Sequence, residues 1–120
     1  QWTCFACTDP TPTIQVTNLD STSGTSTSLN LTWTVGDGLS RIVIMNSVST
    51  ITDPIDGSDP TADASWSNSG EQVIYNGSGN SVVVTGLLPN TQYWFEVFEY
   101  NWDKPFKDAD DETIFFAKYV

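Results

Sequence analysis

The sequence predicts an all-β sandwich, and three observations carry that expectation. Apolar residues recur in short alternating or continuous runs, separated by clusters of Gly, Pro, Asn, Asp and Ser, which is how strands joined by turns are written. No long stretch repeats apolar residues at i, i+3, i+4 and i+7, so no helix is expected. At 120 residues and 38% hydrophobic content the chain suits one domain with a single core.

The strands follow in order. Thr13–Leu19 (TIQVTNL) alternates and predicts a first strand, with Asp20–Thr27 (DSTSGTST) read as a loop. Ser28–Val35 (SLNLTWTV) alternates cleanly, with Leu29, Leu31, Trp33 and Val35 on one face. Gly36-Asp37-Gly38 is a turn, and Arg41–Asn46 (RIVIMN) is a continuous apolar strand. A long polar stretch runs from Ser47 to Gly70. Gln72–Tyr75 and Ser81–Thr85 flank the turn NGSGN, Thr91–Tyr100 (TQYWFEVFEY) follows GLLPN, and Thr113–Val120 comes last. Seven such strands in roughly a hundred residues suit an immunoglobulin-like sandwich.

One stretch is specific. Gly86-Leu87-Leu88-Pro89-Asn90-Thr91-Gln92-Tyr93-Trp94-Phe95-Glu96-Val97 resembles the E–F corner of a fibronectin type III domain. The resemblance implies that Leu87 plugs the core and that Tyr93 forms a tyrosine corner, its hydroxyl bonded to backbone across the turn. Trp33 resembles the second-strand tryptophan of that family. SRIVI at 40–44, PIDG at 54–57, VIYNGSGNSVVVTGL at 73–87 and FEYN at 98–101 resemble fibronectin type III modules in large secreted proteins of Bacteroidetes-type bacteria. There the module is a spacer, an adhesive element or an appendage to a catalytic domain. The expected organisation is an N-terminal arm over 1–11 and a fibronectin type III-like domain over 12–120.

Charge narrows the function. Four Lys and Arg against 15 Asp and Glu give a net charge of −11, which repels phosphate backbones and anionic membranes, so neither nucleic acid nor membrane insertion is expected. No apolar run approaches the ~20 residues that span a bilayer. A first residue that is not Met, with no basic and apolar leader after it, suggests a processed or trimmed chain. Low Lys content, abundant Ser and Thr and a pair of cysteines fit a secreted protein, extracellular or at the cell surface.

No catalytic residue is assigned. The chain has no histidine, so the common general base and the Ser-His-Asp and Cys-His arrangements are absent. Cys4 and Cys7 have C-x-x-C spacing, but two thiols without imidazole are half a zinc site, and the Pro-rich exit Thr8–Pro12 is unlike the helix that follows a redox motif. A disulfide is expected instead, either Cys4 to Cys7 across a tight turn or to another subunit. Counting by twos from Tyr93 puts Glu99 on the core-facing side of its strand, where a carboxylate needs a partner. Arg41 is the only arginine, so the two predict a structural ion pair.

No resident cofactor is expected, calcium excepted. Asp53, Asp56, Asp59 and Asp63 are candidate calcium ligands, although their spacing is not that of an EF-hand. A second acidic cluster spans Asp108–Glu112. Asn30 and Asn76 lie in N-x-[ST] sequons, and Ser21 in Asp20-Ser21-Thr22 resembles the O-glycosylation pattern of Bacteroidetes secreted proteins.

The outward positions of the sixth strand are Trp94, Glu96, Phe98 and Tyr100, three of them aromatic. The third strand is apolar on both faces, Ile42 and Ile44 against Val43 and Met45, and so is the last, which carries Phe115 and Tyr119. A sheet apolar on both faces must be covered on both. Either the loops Ser47–Gly70 or Trp102–Phe106 fold back over it, or a partner does. Trp94, Phe98, Tyr100, Val43, Met45, Phe115 and Tyr119, with Trp2 and Phe5 of the arm, are the candidate contact surface. The expected function is a non-enzymatic extracellular structural subunit that self-assembles into a fibre or sheath. The alternative is a glycan-binding accessory or spacer module of a secreted adhesin or hydrolase, with Trp94, Phe98 and Tyr100 stacking on sugar.

Overall fold

Among the described residues seven strands stack as two antiparallel sheets. The computed structural model describes residues 12–55, 60–107 and 113–119, and at 23, 102–107 and 113–119 the backbone alone. The strands are β1 (Thr17–Thr25), β2 (Ser28–Thr34), β3 (Ser40–Asn46), β4 (Gln72–Gly77), β5 (Ser81–Val84), β6 (Trp94–Lys107) and β7 (Thr113–Tyr119). The first sheet has the order β1-β2-β5 and the second β4-β3-β6-β7. This is the all-β, immunoglobulin-like sandwich that the alternating runs predict. Among the described residues no helix is long and apolar enough to cross a membrane.

The core lies between the sheets. Leu31 and Trp33 of β2 and Val84 of β5 meet Val43 and Met45 of β3 and Ile74 of β4, with Tyr93, Phe95 and Val97 packed against them. Alternation explains β2, whose odd residues point inward while Asn30 and Thr32 are only half-buried. In β3, where both faces are apolar, the register with β6 decides. Val43 pairs with Val97 and Met45 with Phe95, whereas Ile42 pairs with Phe98 and Ile44 with Glu96.

Two elements differ from the sequence reading. The first strand begins at Thr17 and takes in most of Asp20–Thr27, the expected loop, while Thr13–Val16 lies outside it. Its exposed, hydroxyl-rich residues carry no apolar alternation to read; pairing to β2 makes it a strand. It bends at Asn18, whose φ of 56° sits where the pairing register shifts between Thr17 and Asp20. Asn tolerates that left-handed geometry better than most side chains. The sixth strand also runs on to Lys107, beyond the expected end at Tyr100.

Candidate functional site

Arg41 opens β3 and pairs in register with Glu99 of β6. Its Nε–H donates to Glu99 Oε2 at 2.6 Å and its Nη2 to Glu99 Oε1 at 3.1 Å. The remaining donor capacity goes to backbone: Nη1 reaches the carbonyls of Ser78 (2.6 Å) and Gly79 (3.3 Å), and Nη2 that of Gly38 (3.1 Å). Glu99 Oε1 in turn accepts the Gly38 N–H at 2.9 Å. One buried pair thus fastens two turns, Gly36–Leu39 and Ser78–Gly79, to the end of the sandwich. Asn101 adds a third tie, its Oδ1 accepting the Leu39 N–H.

Tyr93 closes the opposite end. Its hydroxyl accepts the Leu88 N–H at 3.0 Å across the corner, and Leu87 is buried in the core beside it. Gly86 makes the corner possible. Its φ is +76°, and a Cβ there would lie 3.0 Å from the Trp66 carbonyl. Trp33 is buried on β2 and donates its Nε1–H to the Gly79 carbonyl at 3.1 Å.

The aromatic surface is where structure and expectation part. Val43 and Met45 are fully buried between the sheets, so they are core and not contact surface. Phe98 and Tyr100 do face outward, but both are buried, in a second cluster with Ile42 and Ile44. The chain itself covers them. Asn46 turns the backbone at the end of β3 by bonding Thr50 O and the Ser47 N–H. Ile51 then packs onto the cluster, and Pro54, Ile55 and Pro60 line, with Ile42, Ile44 and Val73, an open cleft of about 290 Å³ beside it. Asn76 pins the returning chain through Pro60 O and accepts the Tyr100 hydroxyl at 2.6 Å. A sugar-stacking platform built from Trp94, Phe98 and Tyr100 is therefore not presented, because only Trp94 is even half-exposed. Tyr119 pairs in register with Tyr100; for it and for Phe115 only backbone is described. Trp2, Phe5, Cys4 and Cys7 lie outside the described residues.

The same long segment supplies a core residue that sequence reasoning passed over. Trp66 is buried in the main cluster and meets the Tyr93 ring edge-on at 5.7 Å. Gln72 holds this stretch, donating to Asp63 O and Ser65 O and accepting from Ser67. The available signal was a lone large apolar side chain between Ser65 and Ser67 in polar surroundings.

Among the described residues the remaining candidates do not converge. Asp53 and Asp63 are exposed, Asp63 Oδ1 caps the Ser65 N–H, and Asp56, Asp59 and Asp108–Glu112 lie outside the described residues. Among the described residues no three Asp, Glu, Cys or His side chains gather as a metal group. Asn30 is half-buried on central β2 and Ser21 is exposed on β1, whereas the Asn76 amide is engaged at both its atoms. Asp37 is also engaged. Its carboxylate accepts from the Thr13 and Ile14 N–H groups and the Thr13 hydroxyl, and these bonds, that of Ile14 foremost, hold it below the usual 3.8.

Two packed antiparallel sheets, with the polar side chains spent on fastening loops, define an immunoglobulin-like β-sandwich module. A family model described as the purple acid phosphatase N-terminal domain matches residues 14–107, from just ahead of β1 to the end of β6. The chain belongs to that family, whose N-terminal domain is a non-catalytic sandwich of fibronectin III-like architecture. No curated protein and no solved structure matches the chain.

Proposed function

We propose that this domain is a structural spacer or docking module of a secreted polypeptide, of the kind that accompanies a hydrolase, and does no chemistry itself. The observation that carries it is the burial of the outward-facing Phe98 and Tyr100 in a cluster with Ile42 and Ile44, onto which Ile51 of the chain's own returning segment packs. A fibre subunit or a glycan platform would need those aromatics open to a partner. The Arg41–Glu99 constellation supports the same reading, because its donors are already spent on a carboxylate and three carbonyls. The family match supports a place beside a phosphatase domain, and the acidic, hydroxyl-rich composition supports secretion.

The test is a pair of measurements on the purified chain. Incubated with p-nitrophenyl phosphate and added iron, zinc or manganese, it is expected to give no turnover. In light scattering it is expected to be a single small species that ignores insoluble polysaccharide. Metal-dependent turnover would overturn the non-catalytic reading. Ordered polymers would restore self-assembly, and polysaccharide binding lost in Trp94→Ala would restore the glycan reading.

A further inference from the structure

β4 ends in the chain's one Asn-Gly dipeptide, Asn76-Gly77. In water this pair is chemically labile. Gly77 has no side chain, so its backbone nitrogen can approach the Asn76 side-chain carbonyl carbon and close a ring. A bond forms from Gly77 N to Asn76 Cγ, the Cγ–Nδ2 bond breaks, and ammonia leaves with the proton of the Gly77 amide. Water then opens the succinimide at one or the other carbonyl. The product is aspartate or its β-linked isomer.

The fold requires both members of the pair. Asn76 Nδ2 donates to Pro60 O at 2.8 Å, and its Oδ1 accepts the Tyr100 hydroxyl at 2.6 Å. One amide therefore ties the returning segment to β4 and β6. Gly77 lies against Tyr75. A Cβ at 77 would stand 2.9 Å from the Tyr75 hydroxyl and 3.2 Å from its Cζ, and that hydroxyl accepts the Gly79 N–H at 2.6 Å. The position at 76 calls for an amide and the position at 77 for no side chain, so the labile pair is kept by its own contacts.

The same contacts hold the reaction back. Extended backbone keeps the following nitrogen out of line with the Asn side-chain carbonyl, and two hydrogen bonds fix the amide where it is. Attack needs the end of β4 to open. β4 stands at one end of its sheet, and Gly77, paired in register with Arg41, is its last residue. Strand ends open at lower cost than the whole domain unfolds.

We propose that Asn76 is a site of spontaneous deamidation, reached by local opening at the end of β4, and that its product releases the returning segment at Pro60. The direction of the effect follows from the donors. Aspartate still accepts the Tyr100 hydroxyl. It has no N–H for Pro60 O and sets a carboxylate oxygen against that carbonyl instead. The β-linked isomer also lengthens the backbone inside β4, which disturbs its register with β3. The change is irreversible, and it falls on the face where Phe98 and Tyr100 are buried. It goes beyond the spacer reading and does not depend on it, because it concerns β4 and its contacts alone.

The experiment ages the purified chain in mildly alkaline buffer and follows Asn76 by peptide mass spectrometry, with the two products separated by chromatography. Two variants are aged beside it. Tyr100→Phe removes one bond on the Asn76 amide and keeps the ring. Leu87→Ala weakens the core without touching Asn76 or Gly77. Asn76 is expected to convert ahead of every other asparagine. Tyr100→Phe is expected to convert about three- to tenfold faster, and Leu87→Ala at the rate of the unaltered chain. In the aged fraction, isolated by its added charge, the Asp63 amide that bonds Val73 O is expected to exchange at least about threefold faster. An Asn76 that stays intact while the urea-unfolded chain converts overturns the proposal. Equal rates in Tyr100→Phe and the unaltered chain overturn it too, and so does a Leu87→Ala rate raised as far as that of Tyr100→Phe, which would make global unfolding the route. Unchanged Asp63 exchange in the aged fraction overturns the release at Pro60.

Discussion

Arg41 Nε lies 2.6 Å from Glu99 Oε2, and the two side chains are 3% and 0% exposed. Burial of both charges makes the pair costly to break from one side. Arg41→Met leaves a buried carboxylate facing only the Gly38 N–H and takes this donor from the carbonyls of Gly38 and Ser78, while Gly79 O keeps the Trp33 indole N–H. A loss of about 3–5 kcal/mol is expected in urea unfolding. The double variant Arg41→Met/Glu99→Leu is expected to recover part of this, since no bare charge remains, but not all, since the backbone groups stay unpaired. A single-variant loss below about 1 kcal/mol would show that the pair does not hold the two turns.

The corner at the other end rests on one hydroxyl and one glycine. Tyr93→Phe removes the acceptor of the Leu88 N–H but keeps the ring on Trp66, so about 0.5–1.5 kcal/mol is expected. Gly86→Ala adds a methyl at a φ of +76° and 3.0 Å from the Trp66 carbonyl, which is expected to cost about 1–2 kcal/mol. Thermal unfolding of both variants checks this. A neutral Gly86→Ala would mean the corner adopts another backbone geometry.

What the sequence discloses here depends on whether one face of a strand differs from the other. In β6 the alternation from Tyr93 to Val97 points inward, so Glu99 is legible as buried, and a single arginine in the chain names its partner. In β3, Ile42, Val43, Ile44 and Met45 are all apolar, so period two is silent; only the pairing of Val43 with Val97 settles which side is core. β1 is illegible for the opposite reason, since its exposed Ser and Thr carry no apolar face. The Ser47–Gly70 segment reads as a long polar stretch, one of two loops that could fold back over the sheet, and its composition does not say which residues would do so. Yet Ile51 and Trp66 within it decide both the covered outer face and part of the core. Local pattern cannot show where a long turn-rich segment returns to.

The two buried indoles make a comparison in which the hydrogen bond is the variable. Trp33 donates its Nε1–H to Gly79 O, whereas the Trp66 Nε1–H is buried with no acceptor among the described residues. Trp→Phe removes a similar volume at each site. It deletes a made bond at Trp33 and an unmade one at Trp66, so Trp33→Phe is expected to be the costlier by about 1 kcal/mol. Gly79 O keeps a donor in Arg41 Nη1, which holds the difference to that size. Trp66→Ala, which opens a cavity, is expected to cost about 3–5 kcal/mol. Chemical denaturation of the three variants ranks them, and equal costs for the two Phe variants would mean that the Trp66 N–H has found a partner.

Asp37 makes the start of the sandwich sensitive to acid. Its carboxylate receives the Ile14 N–H, the Thr13 hydroxyl and the Thr13 N–H, and its own N–H returns a bond to Ile14 O. These donors favour the ionised form and hold the folded group below 3.8, its value when free. A carboxylate depressed by folding contributes stability that is fully present above the unfolded value and is lost as pH falls through the folded one. The Thr13–Ile14 attachment is therefore expected to be constant from neutral pH down to about 3.8 and to weaken below it. The readout is protection of the Thr13 and Ile14 amides, corrected for intrinsic exchange. Asp37→Ala is expected to lose that protection at every pH and to show no acid transition at these two amides. Protection that survives in Asp37→Ala would place the attachment elsewhere, in the close approach of Gly36 to the Ile14 carbonyl.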